Sequence, residues 1–524
     1  MNEHAIFGLN PMWLSGIILV IVYIILILEK LNRAVIALFG AMLMIYCGLL
    51  NQEQALRTVD FNTLWLLTGM MMMVNITAKT GVFQYVAIRS AKWVRADPIG
   101  IMLMLTGITA LFSALLDNVT TVLLVTPITL LITEQLRVRA FPYLFATIVA
   151  SNIGGTATLI GDPPNIIIGS KNGLSFAEFI YHLTPIAVLI LIAVCAMLWL
   201  TQRRGLKTTL RARASIMRFD EREAITDINL LKKCGFVFAL VLLGFFAGHP
   251  LHIEPGTVAL SGAALLMMLA YGRQPAEKQS ENVHHAFAEV EWITIFFFMG
   301  LFIIVGAVEH SGLLEVMGAK LIAATNGDVP KMAYAVLWVS ALLSSVLDNI
   351  PFVATMIPLL QSAGQGIPPE TFEPVWWALA LGACLGGNGT LIGASANLTV
   401  AAFAERAKHG GTQVVRAFGD DPDLGRKRTA VQQLIAAYRN VGQRWADLDP
   451  LKRTERPVIP ELEPSFYGFS DADMETVFNV GNTFFGKDTM SLRELLNALR
   501  ETYCGTIGAE YMYITDQAQK RWWQ

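Results

Sequence analysis

The sequence predicts an all-α polytopic membrane protein with an inverted repeat, two re-entrant hairpins and two broken helices, followed by a small soluble, mainly helical tail. Long apolar stretches, duplicated motifs and a rise in charge near the end of the chain indicate this fold class. The first 411 residues contain 50 of the 80 charged residues, and residues 412–524 contain the other 30. The tail therefore has the charge density of a soluble domain. The net charge of −2 averages two unlike parts, and no nucleic-acid partner is indicated.

The apolar part of the chain is duplicated. Three groups of residues recur in order, at offsets of 231, 232 and 231 residues: Leu116-Asp117-Asn118 as Leu347-Asp348-Asn349, the segment 154–165 as 386–397, and Asp60, Gly69 and Gly81 as Glu291, Gly300 and Gly312. Gly- and Asn-rich breaks in corresponding apolar segments are typical of secondary transporters with a binding site near the bilayer midplane.

The apolar stretches can be assigned to membrane spans, each of which needs about 20 residues. In the first copy the predicted spans are 12–28, 34–50, 63–88, 141–170 and 184–200. Residues 99–135 form two apolar arms around a polar tip, which predicts a re-entrant hairpin because the tip must be buried against protein. In the second copy we predict spans at 234–248, 256–272, 292–318 and 375–403, and a hairpin at 332–364.

Basic residues predict the orientation in the membrane. They follow the first and third spans, the first hairpin and the span that ends near residue 200. The positive-inside rule then places the N-terminus outside the inner (cytoplasmic) membrane and the basic loops in the cytoplasm. Five crossings are an odd number, so the second copy is expected to run inverted. The predicted domains are the first membrane repeat, a basic cytoplasmic linker, the second membrane repeat and the cytoplasmic tail: 1–201, 202–232, 233–408 and 412–524.

The second copy is predicted to lack its final span. In the first copy, the element that contains Asn165 is followed by a loop and a full apolar span. After Asn397 the chain continues only to about Gly411 before it becomes polar. We therefore expect the second broken helix to be exposed on one side.

The two hairpin tips carry the first candidate binding residues: Asp117, Asn118, Thr120 and Thr121 in the first copy, and Asp348 and Asn349 in the second. A carboxylate in apolar surroundings is costly. Carboxylate, amide and hydroxyl oxygens are ligands of hard cations, and a desolvated Asp can carry a proton. The alternative is that both Asp residues only cap helices. Their duplication at matched sites favours an ion-binding role.

The two helix breaks carry the second group of candidates: Gly154, Gly155, Thr158, Gly161, Asp162 and Asn165, with Gly386, Gly387, Asn388, Thr390, Gly393 and Asn397. Glycines and a Pro-Pro pair interrupt a helix, so that free carbonyls can coordinate a cation and a helix N-terminus can face an anion. The alternative is close helix packing through small residues. Asp60 and Glu291 are expected to be helix caps or solvated loop ends. No metal site is indicated.

Residues 12–408 resemble the ion transporter superfamily that includes arsenite permeases, NhaD-type sodium/proton antiporters, the melanosomal P protein and divalent-anion/sodium symporters. The Leu-Asp-Asn pattern at 116–118 and the Thr-Leu-Ile-Gly-Asp-Pro-Pro-Asn pattern at 158–165 carry the resemblance, which is closest to the P-protein and NhaD-like branch. It implies a scaffold and a transport domain, a homodimer and an elevator-like motion. In the symporter branch a Ser occupies the hairpin position that is Asp117 and Asp348 here, so dicarboxylate recognition is not implied.

Residues 426–524 resemble part of the N-terminal region of the E1 component of 2-oxoglutarate dehydrogenase. The residues that carry this resemblance are Tyr438-Arg439, Gly442, Leu448-Asp449-Pro450-Leu451, Glu461-Leu462, Phe466-Tyr467 and Thr502-Tyr503-Cys504-Gly505. The fragment contains no thiamine diphosphate motif, so we expect no cofactor and no enzymatic activity. A fusion of a truncated permease with a truncated enzyme, through rearrangement or faulty gene assembly, is the simplest explanation; a regulatory tail is the alternative.

The sequence therefore predicts a secondary active ion transporter, either a Na⁺/H⁺ antiporter or an ion-coupled anion or arsenite-type permease, which is truncated and expected to be impaired. Na⁺ or H⁺ is the expected coupling ion, and the lipid bilayer and a small transported ion are the expected partners. The absence of a Walker-type phosphate loop argues against an ATP-driven pump. The rival hypothesis is a membrane-anchored, E1-related subunit without a catalytic site.

Overall fold

The computed structural model describes residues 9–28, 30–203, 205–218, 220–248, 250–409, 422–446, 459–480 and 489–505. The chain forms two compact units, residues 1–411 and 412–524. Almost all regular structure is helical, and the predicted all-α membrane fold is confirmed. Seven of the described helices are long and apolar enough to cross a membrane.

The first copy of the repeat contains ten helices in the first unit. These are α1 (Pro11–Leu28), α2 (Arg33–Tyr46), α3 (Gln52–Thr58), α4 (Phe61–Ala78), α5 (Val82–Trp93), α6 (Pro98–Leu115), α7 (Asn118–Leu136), α8 (Phe141–Thr156), α9 (Pro163–Asn172) and α10 (Phe176–Gln202). A short helix, α11 (Leu210–Arg218), follows in the linker.

The second copy repeats this order up to the second broken helix. Its helices are α12 (Ile228–Gly248), α13 (Pro255–Tyr271), α14 (Ala276–Ala288), α15 (Trp292–His310), α16 (Leu313–Thr325), α17 (Val329–Ser344), α18 (Asn349–Ala363), α19 (Pro369–Gly386) and α20 (Ser395–His409). Among the described residues of this unit, no helix corresponds to α10.

Both hairpins and both breaks form where the sequence predicts them. Helices α6 and α7 turn at Leu116-Asp117, and α17 and α18 turn at 345–348. Helices α8 and α9 are separated by an unwound segment at 157–162, and α19 and α20 by one at 387–394. Proline at the start of α9 favours a new helix there, because it lacks an N–H to continue the previous one.

The predicted single spans 63–88 and 292–318 are wrong, because each is two helices. Gly81 separates α4 from α5 with a φ of 76°, and Gly312 separates α15 from α16 with a φ of 81°. This left-handed conformation suits glycine and ends a right-handed helix. A Cβ at Gly81 would also lie 1.7 Å from the carbonyl oxygen of Ala224, so the chain can turn here only with glycine.

The two copies pack against each other through matched glycines. A Cβ at Gly69 of α4 would lie 2.6 Å from the carbonyl carbon of Ala259 in α13. A Cβ at Gly300 of α15 would lie 2.6 Å from the carbonyl carbon of Ala37 in α2. Small residues permit such close backbone approach between membrane helices. Each copy therefore completes the helix packing of the other.

The linker is attached to α5 by a group of opposite charges. The Glu221 carboxylate accepts a 2.7 Å hydrogen bond from Arg89 Nη1 and also pairs with Lys92 Nζ. These two cations lower the pKa of Glu221 from 4.5 to about 2. A carboxyl whose pKa is lowered in the folded state stabilises the fold above its unfolded pKa, and this contribution is lost as the pH falls through the folded pKa.

We expect Glu221→Gln to release the linker from α5, because a neutral amide cannot pair with Arg89 and Lys92. Wild-type protein should lose this attachment between pH 4.5 and about 2. The measurement is the rate of proteolysis within 202–232, at neutral pH with trypsin and at acid pH with pepsin. Glu223→Gln is the matched control, since Glu223 is exposed. Equal cleavage of the wild type and Glu221→Gln at neutral pH would contradict the prediction.

The second unit consists of α21 (Pro422–Val441), α22 (Leu492–Tyr503), several 3₁₀ turns and the antiparallel strands β1 (Val477–Asn479) and β2 (Thr489–Ser491). The helices agree with the mainly helical tail that the sequence predicts, but the strand pair was not predicted. Leu434, Tyr438 and Leu495 lie in a small apolar core. Tyr438 Oη donates a 3.1 Å hydrogen bond to the carbonyl of Leu462, which satisfies the buried hydroxyl.

Candidate ion-binding site

Both hairpin-tip carboxylates cap the helix that follows them. The backbone N–H of Thr120 donates to Asp117 Oδ2 at 2.9 Å, and that of Ile350 donates to Asp348 Oδ1 at 3.3 Å. Aspartate is a favoured N-cap because it accepts from the first free N–H groups. Asp117 is nevertheless only 5% exposed. The capping role is therefore present, and it leaves one carboxylate oxygen of each Asp for other contacts.

A small cavity, which we call the acidic pocket, lies where the tip of the first hairpin and the first break meet residues of the second copy. It is lined by Arg33, Leu67, Met71, Asp117, Asn118, Val119, Asp162, Pro163, Glu291, Thr294, Asn349, Ile350 and Ser395. Its volume is about 10 Å³, whereas one water molecule requires about 10–15 Å³ on the same scale. The pocket is therefore the size of a single small ion or water.

The acidic pocket has more negative than positive groups. Asp117, Asp162 and Glu291 contribute three carboxylates, and Arg33 is the one cation among the lining residues. Within the part of the chain that the structure describes, none of these three carboxylates forms an ion pair within 4.0 Å. An excess of carboxylates in a buried site favours the binding of a cation or a proton.

Asp162 and Asn349 join the two copies at this pocket. Asn349 Nδ2 lies 3.3 Å and 3.2 Å from the two carboxylate oxygens of Asp162. Asp162 is in the first break and Asn349 is at the tip of the second hairpin. An amide that donates to a carboxylate stabilises its charged form and fixes its orientation.

Arg33 of α2 contacts the tip of the second hairpin, the start of α20 and helix α15. Its Nη1 donates to Ser395 Oγ at 2.5 Å and is 3.7 Å from Asp348 Oδ2, while Nη2 donates to Thr294 Oγ1 at 2.8 Å. Its guanidinium also lies 5.4 Å from the ring centre of Phe297. The sequence indicated only a basic loop residue here. Its position directly after an apolar span, beside the Asn32 cap, gave no signal of binding.

Asp348 is separated from the acidic pocket by Arg33. It lines a second, more apolar cavity of about 270 Å³ together with Tyr23, Leu26, Ile27, Leu31, Arg33, Phe297, Leu347, Pro351, Ile392 and Leu398. Ser395 Oγ donates to Asp348 Oδ2 at 3.0 Å. Arg33 lines both cavities, and each cavity contains one of the two predicted hairpin-tip carboxylates.

The expectation of a helix cap is confirmed for Asp60, whereas Glu291 occupies the N-cap position of α15 without a capping bond from its side chain. Asp60 caps α4 by accepting from the N–H groups of Asn62 and Thr63. Glu291 makes no capping bond with its side chain; it accepts from Thr294 Oγ1 at 3.0 Å and lines the acidic pocket. The tertiary packing of α2 and the hairpin tips brings Glu291 into the site.

The asparagines of the two breaks hold the unwound backbone together. Asn165 Nδ2 donates to the carbonyls of Gly155, Thr156 and Thr158 at 2.9–3.2 Å. Asn397 Nδ2 donates to those of Gly387 and Thr390 at 2.7 and 2.9 Å. In a membrane protein, carbonyls that lose their helical partners must be satisfied internally. Both amides therefore fix the shape of the break.

The breaks also contact each other across the repeat. Asn152 Nδ2 donates to Asn397 Oδ1 at 3.1 Å and to Asn388 Oδ1 at 3.0 Å. At the corresponding position of the second copy, Cys384 Sγ lies 3.4 Å from Asn165 Oδ1. Asn118 Nδ2 lies 3.3 Å from Asn152 Oδ1, which connects this network to the first hairpin tip. Asn152 and Cys384 were not predicted from the sequence.

The predicted glycines and threonines lie where the breaks pack against the hairpins. A Cβ at Gly154 would lie 2.1 Å from the Ala110 carbonyl oxygen, and one at Gly386 would lie 2.6 Å from that of Ala341. Gly161 and Gly393 approach Ser113 and Ser344 in the same way, and Thr158 and Thr390 donate to the carbonyls of Ala114 and Ser345. These contacts show a packing role, and a direct binding role for these residues stays a prediction.

We expect Asn165→Ala and Asn397→Ala to lower the free energy of unfolding by about 1–3 kcal/mol each, because buried carbonyls lose their donor. The loss should be larger for Asn165, whose amide serves three carbonyls. Both variants should also weaken Na⁺-dependent thermal stabilisation of the purified protein. Asn75→Ala is the control, since its amide serves one carbonyl at the surface. Variants that change only protein abundance, with unchanged ion response, would support the packing role alone.

Comparison with known proteins agrees with this architecture. The model of the citrate transporter (CitMHS) family matches residues 23–382. The chain belongs to this family. An uncharacterized transporter of Mycobacterium tuberculosis, Rv2684, is 44% identical over 397 residues, which cover 74% of this chain and 90% of the relative. The P protein of Homo sapiens is 34% identical over 475 residues, which cover 74% of this chain and 55% of the relative.

The family establishes a multi-pass membrane transporter and not an enzyme. A shorter part of the chain matches a different protein. The 2-oxoglutarate dehydrogenase E1 component of Cupriavidus necator is 69% identical over 125 residues, which cover 24% of this chain and only 13% of the E1 component.

Proposed function

We propose that the protein is a cation-coupled secondary transporter in which the acidic pocket binds Na⁺ or H⁺. The observation that carries this proposal is the grouping of Asp117, Asp162 and Glu291 around a space of about 10 Å³. Oxygen ligands from carboxylate and amide groups suit a hard cation. A space of this size is too small for a polyatomic organic anion such as citrate.

Arg33 can couple ion binding to a movement of the protein, because it competes with a bound cation for Asp348. Its guanidinium neutralises Asp348 in the arrangement described here. A cation or proton bound at Asp348 would compete with Arg33 for that carboxylate. Arg33 lies on α2, whereas Ser395 and Asp348 lie on the second broken helix and the second hairpin. Binding at Asp348 would therefore weaken a contact between elements that an elevator-like motion must separate.

An ion-coupled anion permease is the second candidate. The second cavity is about 270 Å³ and has Arg33 at one end of an otherwise apolar lining. A guanidinium can bind a carboxylate or another oxyanion with two parallel hydrogen bonds. A small anion in this cavity would occupy Arg33 and release Asp348 to a cation, which would couple the two fluxes in the same direction.

A flux assay in reconstituted vesicles distinguishes these functions. It uses the chain with an apolar span in place of the tail, because little flux is expected from the chain as it stands. A Na⁺/H⁺ antiporter should release internal protons when Na⁺ is added outside, without any organic anion. An anion permease should accumulate labelled citrate or arsenite only when a Na⁺ or proton gradient is imposed. Purified protein that shows neither response, and no Na⁺-dependent thermal stabilisation, would contradict the proposed site. The proposed orientation, with the tail in the cytoplasm of a cell with an inner membrane, can be tested with reporter fusions at the C-terminus.

We expect Arg33→Gln to bind Na⁺ about 10-fold to 100-fold more tightly, since removal of a competing charge contact is worth about 1.5–3 kcal/mol. The measurement is the Na⁺ concentration that gives half of the maximal thermal stabilisation. Arg57→Gln is the control, because Arg57 pairs with the exposed Glu53 on the short helix α3. Unchanged or weaker Na⁺ binding in Arg33→Gln would show that Arg33 does not compete for the ion.

We further propose that the E1-like tail is not part of the transport function. A fusion joint between the permease and the E1 fragment would lie near residues 405–420. Long-read sequencing across these codons tests this, because a contiguous native reading frame would favour a regulatory tail. A membrane-anchored E1-related subunit remains the rival, and it would require the purified chain to associate with other components of a 2-oxoacid dehydrogenase.

A further inference from the structure

Helix α11 of the linker has one buried face and one exposed apolar face. Ala212 and Ile216 are buried, and Ile216 belongs to an apolar cluster with residues of α5, α6 and α7. On the other side of the helix, Leu210 and Met217 are 84% and 44% exposed, and Ala214 is exposed between them. We call these three residues the exposed strip. They share one side because an α-helix has about 3.6 residues per turn.

The exposed strip is bordered by cations that have no acidic partner. Residues 179–219 contain six Lys and Arg residues and no Asp or Glu. Among the described residues, four of these cations are exposed and form no ion pair within 4.0 Å: Arg203, Lys207, Arg211 and Arg218. A single exposed apolar side chain is ordinary, whereas an apolar strip beside basic residues is typical of helices that lie at a membrane surface.

Two contacts hold α11 in this orientation at the base of the first hairpin. Arg213 Nη2 donates to Asp97 Oδ1 at 2.8 Å, and the other oxygen of Asp97 caps α6 by accepting from the N–H of Gly100. Thr208 Oγ1 donates to the carbonyl of Leu136, the last residue of α7, at 2.5 Å. The linker is therefore attached to both arms of the hairpin, and the strip cannot turn inward without breaking these bonds.

Exposed aromatic side chains lie at the helix ends around α11. Trp93 ends α5 and is 82% exposed, and Phe141 begins α8 and is 76% exposed. Near the end of α10, the Arg203 guanidinium lies 4.8 Å from the ring centre of Trp199. Helix α11 packs against α5 and α7. Aromatic and basic residues concentrate where a membrane meets water, so we expect the exposed strip to lie at the level of the lipid headgroups.

We propose that the exposed strip, together with Arg211 and Arg218, binds anionic phospholipids of the cytoplasmic membrane surface. Leu210 and Met217 would enter the boundary between headgroups and acyl chains, and the guanidinium groups would donate to phosphate oxygens. Each basic residue near an anionic surface strengthens binding about fivefold. The proposal goes beyond the transport function and does not depend on the coupling ion, so either can fail without the other.

Hydrogen–deuterium exchange of the full chain in lipid nanodiscs tests this surface. Discs of phosphatidylcholine are compared with discs of equal parts phosphatidylcholine and phosphatidylglycerol. In the wild type we expect the amides of α11 to exchange at least about fivefold more slowly in the anionic discs. The double variant Arg211→Gln, Arg218→Gln should show no such difference. Amides of the buried helix α4 should exchange at the wild-type rate, which shows that the variant is folded.

The matched control is the double variant Arg273→Gln, Lys278→Gln, because both cations are exposed and lie outside α11. It removes the same charge and should keep the slower exchange of α11 in anionic discs. Loss of this difference in the control as well would show a general effect of charge and would overturn the proposal. Equal exchange of α11 in the two discs in the wild type would also overturn it, whether the helix were open to water or covered by the tail.

Free phosphate could meet the same arginines, and two measurements separate it from a lipid surface. Inorganic phosphate added to phosphatidylcholine discs should not slow exchange in α11. The double variant Leu210→Ser, Met217→Ser should lose the effect of phosphatidylglycerol, because a lipid surface needs the apolar strip and an inorganic ion does not. Slower exchange with inorganic phosphate, or an unchanged lipid effect in this variant, would overturn binding of the membrane surface.

Discussion

Asp117→Asn and Asp348→Asn are each expected to abolish ion-coupled transport while leaving membrane insertion intact. Asparagine is also a favoured N-cap, so the bonds from Thr120 and Ile350 to these side chains can persist. What is lost is the negative charge that a bound cation or proton requires. Loss of one charged contact of about 1.5–3 kcal/mol lowers cation affinity by about 10-fold to 100-fold.

The two variants should differ in the step that fails. Asp117 lines the acidic pocket without a cationic partner among the described residues, so Asp117→Asn should reduce cation binding directly. Asp348 is the partner of Arg33, so Asp348→Asn should leave Arg33 without its carboxylate and uncouple the fluxes. The measurements are Na⁺-dependent thermal stabilisation of the chain as it stands, and proton release from vesicles that contain the chain with an apolar span appended after Gly411, in which flux is expected.

Asp97→Asn and Asp328→Asn are the matched controls for these variants. Both aspartates cap the outer helix of a hairpin, through Gly100 and Lys331, at the end away from the tip. Each control changes the same group in the same kind of cap without touching either cavity. Coupled flux at the wild-type level in both Asp117→Asn and Asp348→Asn would rule out the proposed role of the carboxylates.

The second large effect concerns the final span that the sequence predicts to be missing from the second copy. We expect little or no ion flux from the chain as it stands, and partial recovery when an apolar span is appended after Gly411 in place of the tail. In the first copy, α10 packs against α6 and α8. In the second copy, α17 has an apolar face that exposes Tyr334, Trp338 and Leu342 at 65–69%. The tail cannot cover this face inside lipid, because each charged residue at a helix centre costs about 2.5–3.5 kcal/mol on insertion scales.

The exposed face of α17 is expected to affect ion flux because the second break lies close to it. Helix α19 packs against α17, and the break that follows α19 contains the backbone held by Asn397. A span seated on α17 and α19 would restrict movement of this break. The control is an appended span of equal length with two central lysines, which should not insert and should not restore flux. Full saturable flux from the unmodified chain would contradict the prediction and would indicate that the tail contributes to transport.

Local sequence determined much of the helical framework and the two breaks. Asp117 and Asp348 mark the hairpin tips because a carboxylate before a helix caps it wherever the chain runs. The glycines and the Pro-Pro pair mark the first break for a similarly local reason, since they disfavour a continuous helix. The ends of α4 and α15 were missed because a glycine within an apolar run can lie in a helix or end it. At Gly81 the contact with Ala224 requires the turn.

Tertiary structure alone decided which side chains form the site. Arg33 bonds to Thr294 and Ser395, residues 261 and 362 positions away in the chain. No periodicity or motif around Arg33 encodes those partners, because they depend on how the two copies pack. The same packing turned Glu291 from an expected cap into a pocket residue. In the packed structure the amides of Asn165 and Asn397, which the sequence predicts as binding groups, donate to backbone carbonyls of the breaks. The sequence by itself therefore determined where the helices turn and break, through local backbone chemistry, whereas only the packing of the repeat decided which charges meet.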